Sequence, residues 1–399
     1  MRALPTVETQ FFTFAKSPED AFVLESGDRF GPITLAYETW GELNADRSNA
    51  ILLFHALTGS QHAAGFNPAV QGCEDLWTEE CQIGWWNDFI GPGCALDTDR
   101  YFVICINYLG GCYGSTGPRS INPATGRPYG GAFPTVTVRD TVDAQMRLLD
   151  HLGIQCLLAA VGGSLGGMMV LELATRYPER VRCVIPLAAG HHATTLQRLH
   201  NFEAIFAIEE DRNYNYGDYY DGDPPRMGLM LARMIAHKTF VHVDVMEERA
   251  RGEIVQAEDD LKGYRLRHQI ESYMLHQGKK FVQRFDANAY LRILYMWQNF
   301  DLRARFNGDA VEAFKPCRHQ RYLVFSIDSD VCFWPEEQEE LCQALKMADV
   351  PYQHITVHSD KGHDSFLLEP RFYAPYLSYV LDETWREIQA GQAAGDRAG

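Results

Sequence analysis

Residues 161–168 read Val161-Gly162-Gly163-Ser164-Leu165-Gly166-Gly167-Met168, and a single serine among four glycines needs a reason. The run before it, Cys156 to Val161 (CLLAAV), is short and apolar, the pattern of a buried strand. The run after it, Met168 to Pro178 (MMVLELATRYP), reads as a helix that stops at a proline. Ser164 therefore falls at the apex of a strand–turn–helix. One reading is a tight turn that happens to contain a serine. The other is a nucleophile elbow, with Gly162, Ser164 and Gly166 supplying Gly-x-Ser-x-Gly and the glycines making room for a strained backbone.

The rest of the chain separates these readings. A serine needs a base within hydrogen-bond reach, and the base needs an orienting carboxylate. On such an elbow the partners follow in the order serine, acid, histidine. The strand-like run Tyr322 to Ile327 ends in Asp328-Ser329-Asp330, and Gly362-His363-Asp364 follows the next strand-like run. Ser164, Asp330 and His363 are thus the candidate nucleophile, acid and base. Asp328 competes with Asp330, and His358 with His363, although His358 sits at the end of an apolar strand. The backbone N–H groups of Leu165 and Leu57 are the expected donors to an oxyanion. His55 reads as a structural histidine at a strand end. Arg233 lies in an otherwise apolar helical run, GLMLARMIAHKTF. It is either a snorkelling or ion-paired arginine or an anion clamp.

Around this centre, short apolar runs at 50–57, 101–110, 156–163 and 182–190 alternate with helix-like stretches such as 138–153. This pattern predicts an α/β domain with a mostly parallel sheet covered on both faces. From Thr194 to Phe306 the strand signal stops and helical runs replace it, so residues 194–306 read as a helical insertion in a core of 1–193 and 307–390. The tract 209–226 (EEDRNYNYGDYYDGDPPR) reads as an exposed loop, and 391–399 (GQAAGDRAG) as a disordered tail.

The net charge of −17 argues against nucleic acid as a general partner. No apolar run reaches the ~18 residues of a membrane span, and the N-terminal stretch lacks the apolar core and cleavage site of a signal peptide. The ten cysteines are scattered, with neither CxxC pairs nor zinc-like Cys/His spacing. The expectation is a cytoplasmic protein without disulfides, metal or phosphate-loop nucleotide site.

The segments HALTGSQH (55–62), GGSLGGM, GLMLARMI, ESYMLHQGKKFVQRFDANAYL (271–291), GHDSFLLE (362–369) and the long run Gly84 to Gly130 together resemble the homoserine O-acetyltransferase family, homoserine or serine O-acyltransferases of the α/β-hydrolase fold. The resemblance runs from about Gly31 to Leu368. It implies a ping-pong acyl transfer through Ser164, Asp330 and His363, with Arg233 on the carboxylate of homoserine and Asp364 on its amino group. It implies acetyl-CoA as co-substrate, no bound cofactor, small-molecule partners only, and a homodimer formed through a helical lid. Members that use succinyl-CoA carry an arginine two residues after the acid. Cys332 stands there, which favours acetyl unless Arg119 or Arg127 supplies the charge. A succinyl-using or serine-accepting enzyme of the family is the alternative, and an esterase the next. His191 and His192 replace residues usual in the family, as does GGAFP (130–134). The two histidines are expected to line the pocket rather than hold a metal, since the sequence shows no third ligand.

Overall fold

The computed structural model describes residues 4–395. The short apolar runs form strands β1 (Gln10–Phe14), β2 (Phe22–Val23), β3 (Arg29–Phe30), β4 (Ile33–Trp40), β5 (Ala50–Phe54), β6 (Phe102–Ile106), β7 (Leu157–Gly163), β8 (Val181–Leu187), β9 (Arg321–Ile327) and β10 (Tyr352–Val357). Eight of them make one sheet in the order β1-β4-β6-β5-β7-β8-β9-β10, while β2 and β3 form a separate hairpin. β1 and β4 run antiparallel to their neighbours, and every pairing from β6 to β10 is parallel. β5, β6 and β7 are buried along their whole length. Strands covered on both faces read as continuous apolar runs, and that is how they read here. Alternate residues of one strand feed opposite cores: Leu52 packs with Ile104 and Val184 on one face, Leu53 with Val103 and Ile185 on the other.

Helices fill both faces. These are α1 (Val138–His151), α2 (Leu165–Arg176), α3 (Thr195–Glu209), α4 (Arg226–Phe240), α5 (Val243–Ala250), α6 (Gln269–Arg284), α7 (Ala287–Gln298), α8 (Ala310–Phe314), α9 (Pro335–Met347), α10 (Ser365–Leu368) and α11 (Pro370–Gly395). α1 and α3 start in capping boxes, Thr137 with Asp140 and Thr194 with Gln197. Between β8 and β9, α3 to α8 form without adding a strand to the sheet, and α4 packs against both α3 and α6. No helix among the described residues is long and apolar enough to cross a membrane.

Three features depart from the sequence reading. The edge strand β1 carries a half-exposed, weakly alternating pattern and was not anticipated. The tract 209–226 is not simply exposed: Gly217 and Tyr219 are buried, and the Tyr219 and Tyr220 hydroxyls donate to the buried Asp286 carboxylate at 2.8 and 3.1 Å. Aromatic residues among acidic ones served here as an anchor. Residues 391–395 belong to α11, and the last four positions of the expected tail, 396–399, lie outside the described residues.

The β7–α2 turn fixes the centre of the sheet. A Cβ on Gly162 would meet the Gly166 carbonyl oxygen at 2.4 Å, and one on Gly166 the Phe54 carbonyl oxygen at 2.5 Å. Backbone cannot yield as a flexible side chain can. Gly166→Ala is therefore expected to destabilise the fold by about 2–3 kcal/mol, as overpacking does. Urea unfolding checks this as a lower midpoint at unchanged slope.

Candidate active site

Ser164 caps α2 with φ 59° and ψ −129°, a conformation that L-residues adopt at a cost of about 1–3 kcal/mol. Its N–H donates to the Leu187 carbonyl at 2.9 Å, and its side chain is nearly buried. The strained turn lifts the hydroxyl above the carboxyl ends of the parallel strands. Asp330 follows β9, and its Oδ1 accepts the amides of Cys332 at 2.8 Å and Phe333 at 2.9 Å. Its Oδ2 accepts from His363 Nδ1 at 2.6 Å. The His363 ring stacks on Phe333, with 5.2 Å between centroids, and Phe366 meets it edge-on. His363 Nε2 has no hydrogen-bond partner among the described residues. That nitrogen is the one a base would use.

Burial opposes the imidazolium of His363, but the carboxylates of Asp330, Asp364 and Glu337 outweigh it, so its pKa is raised. The competing residues pair with each other instead: His358 Nδ1 lies 2.8 Å from Asp328 Oδ2 on an exposed surface. His55 is buried against Tyr108 at 3.7 Å, and burial lowers its pKa to about 4, as a structural histidine requires.

Ser164, His363, Leu57, Arg233 and Asp364 all line one cavity of about 340 Å³. Arg233 lies over the rings of Phe240 and Phe281, and it forms no hydrogen bond or ion pair with the described residues. Burial and the neighbouring Arg284 guanidinium lower its pKa. Burial raises the Asp364 pKa, against the pull of His363 and Arg233. Asp364 likewise has no hydrogen-bonded partner among the described residues. The cavity thus holds one unpaired cation and one unpaired carboxylate beside a serine and an imidazole.

The sequence profile of the alpha/beta hydrolase fold matches residues 49–370. The homoserine O-acetyltransferase of Solidesulfovibrio magneticus is 44% identical over 94% of this chain and 92% of its own length. That of Rhodospirillum rubrum is 45% identical over 88% and 87%. The chain belongs to the homoserine O-acetyltransferase family of alpha/beta hydrolases. Its backbone is similar to the crystal structure of the homoserine O-acetyltransferase from Bacillus anthracis, with a TM-score of 0.83 at 25% identity over 96% of this chain and 98% of that one. It is also similar to esterase E22, at 0.82 and 27% over 94% and 100%.

Other expected residues fall elsewhere within this family member. Cys332 does not reach the cavity; its thiol is buried near Thr239, and its carbonyl accepts from Gln197 Nε2 at 2.9 Å. Arg119 is committed to Asp75 and Arg127 to Asp221, so neither offers a free charge. The cation that sequence reasoning missed is Arg284, which lines the cavity, reaches the Thr58 carbonyl and the Tyr113 hydroxyl, and faces Glu80 at 3.9 Å. His191 and His192 do not line the cavity either, and a third donor, Glu340, stands beside them. Only the fold brings that glutamate to the pair.

The insertion also supports the acid. Gln197 on α3 donates to the Cys332 carbonyl and to Glu337, and accepts from Trp297 Nε1 at 3.3 Å. Burial pushes the Glu337 carboxyl up to about 8. Trp297 stacks on Phe333, which stacks on His363. Neither Gln197 nor Trp297 carried a sequence signal.

The raised pKa of His363 gives a signed pH dependence. A base role for His363 requires neutral imidazole, so on that role the rate would fall as pH drops through the raised pKa. Asp364→Asn removes one of the carboxylates that raise it. The acid limb of kcat/KM for acetyl transfer to homoserine should therefore move to lower pH in this variant. A limb that stays in place would show that Asp364 does not act on His363.

Proposed function

We propose that this enzyme transfers an acetyl group from acetyl-CoA to the hydroxyl of L-homoserine by a ping-pong mechanism. The observation that carries this reading is the unpaired Arg233 and Asp364 in the cavity of Ser164 and His363. An α-amino acid brings one carboxylate and one ammonium, the complements of a guanidinium and a carboxylate that stand half-buried without partners. The relatives' name, homoserine O-acetyltransferase, supports an acetyl donor and homoserine as the acceptor.

In this mechanism His363 Nε2 takes the proton of Ser164 Oγ as the oxygen attacks the thioester carbonyl. The oxyanion that forms accepts hydrogen bonds from the amides of Leu57 and Leu165. The thiol of CoA leaves with the proton from His363, and acetyl-Ser164 remains. Homoserine then binds with its carboxylate on Arg233 and its ammonium near Asp364. His363 takes the proton of its hydroxyl, which attacks the acetyl carbonyl. Collapse releases O-acetylhomoserine and restores Ser164. None of the ten cysteines forms a disulfide, which supports a cytoplasmic setting.

Thiol release from acetyl-CoA and from succinyl-CoA, each with and without L-homoserine, tests the reading. An enzyme-only blank accounts for the native cysteines. Fast release from acetyl-CoA that depends on homoserine is expected. Release mainly from succinyl-CoA would assign Arg284 to the donor's free carboxylate. Release indifferent to homoserine would favour hydrolysis, a reading motivated by the likeness to esterase E22. Arg233→Ala should raise KM for homoserine by roughly 10- to 100-fold, the loss of a charged hydrogen-bond partner. The acyl-enzyme burst should stay intact, because Arg233 acts in the second half-reaction.

We further infer a homodimer formed through the insertion. Leu199, Phe202 and Phe206 of α3 and Met227 and Leu231 of α4 are large apolar side chains left exposed on two adjacent helices. A patch of this kind marks a protein interface. Phe202→Glu with Phe206→Glu should convert a dimer to a monomer in sedimentation velocity. A wild-type monomer would refute the assignment.

A further inference from the structure

We propose that His191, His192 and Glu340 form a binding site for a divalent first-row transition-metal ion of the zinc class. His191 and His192 follow β8 in the loop that leads to α3, and Glu340 projects from α9. One donor atom from each lies within 4.8 Å of the others. His191 is 1% exposed, yet neither of its ring nitrogens has a hydrogen-bond partner. The buried Nδ1 of His192 has none either. Buried polar atoms in native proteins are nearly always satisfied, so three orphaned imidazole nitrogens in one place require an explanation. The Glu340 carboxylate, half-exposed, stands 3.8 Å from His191 Nε2.

The donor set selects the ion. Two imidazoles and a carboxylate suit zinc, cobalt or nickel, whereas magnesium and calcium take oxygen ligands. Bonds of about 2.0–2.1 Å in a tetrahedral site place ligand atoms roughly 3.3 Å apart. The present separation therefore has to close by rotation, and Glu340 has the freedom to do so. Three protein ligands leave a fourth position for water. The backbone beneath the histidines is already fixed. The His191 carbonyl accepts the Leu302 amide at 3.0 Å, the Ala193 amide donates to Phe300 at 2.8 Å, and His192 is bridged to Asp301.

The opposing charge is Arg303, whose Nη1 lies 3.9 Å from Glu340. It already bonds Asp301 through Nε at 2.9 Å and Nη2 at 3.1 Å, so its charge is largely offset. An ion held here would pin the β8–α3 loop to α9, the helix that follows the Asp330 loop. Its effect would fall first on stability.

Chelator-stripped protein titrated with cobalt(II) tests the site. Visible d–d absorption should rise to a plateau at one ion per chain with the intensity of four-coordinate cobalt, and zinc(II) should displace it. The melting temperature should rise with added zinc. His191 is buried and its replacement could unfold the loop, so Glu340→Gln and His192→Asn are the diagnostic variants. Each should weaken cobalt binding at least ~10-fold while far-UV circular dichroism stays unchanged. Absence of a saturable band in the wild type, or retained affinity in either variant, overturns the proposal.

Discussion

The backbone at Ser164 is the constraint on which the rest of the site depends. A non-glycine residue at φ 59° is held only where its surroundings over-determine it. Here they do so from several sides. The Ser164 amide is bonded to Leu187 of β8, Gly166 lies against Phe54 at the end of β5, and Gly167 against Ala189. Gly163 lies against the Phe366 ring, where a Cβ would come within 2.4 Å. Phe366 in turn meets His363 edge-on. The glycines thus let the Ser164 turn and the His363 loop pack as one unit.

The second requirement is electrostatic. Buried charges are normally paired within the protein, because removing a charge from water is costly. Arg233 and Asp364 are only half-buried, open to the cavity: Arg233 rests on two aromatic faces, and Asp364 is left without a hydrogen-bonded partner among the described residues. Two unpaired groups of opposite charge facing one cavity suit a ligand that carries both signs. A ligand with both signs of charge satisfies both groups at once, which neither a simple ester nor a bare acyl chain would do.

The sequence made the sheet legible because its central strands are buried on both faces and so read as continuous apolar runs. The order of Ser164, Asp330 and His363 was legible because each follows a strand. What stayed hidden depended on distance along the chain. Nothing local distinguishes Asp328 from Asp330; the choice follows from the amides of Cys332 and Phe333 and from the surface pairing of Asp328 with His358. Glu340 reads as one more acid on an exposed helix until the fold brings it to His191. Cys332 was read by its position after the acid, but its side chain turns into the packing near Thr239 and away from the cavity. The tyrosines at 219 and 220 were hidden by their acidic neighbours, and their hydrogen bonds with Asp286 and Asn288 explain their placement.

The inserted helices do more than cover the cavity. The loop carrying Asp330 is held from below by β9 and from above by Gln197 and Trp297. The stack from Trp297 through Phe333 to His363 makes the orientation of the base depend on the packing of α7. Arg233 comes from α4, which packs on α3, the helix that carries Gln197. The position of Arg233 and the setting of Asp330 and His363 therefore depend on the same helices. A displacement of the insertion would disturb both together, so water that entered through an open insertion would meet a poorly aligned base. On the proposed mechanism, this coupling would let an α/β-hydrolase core favour transfer over hydrolysis without any change to the triad itself.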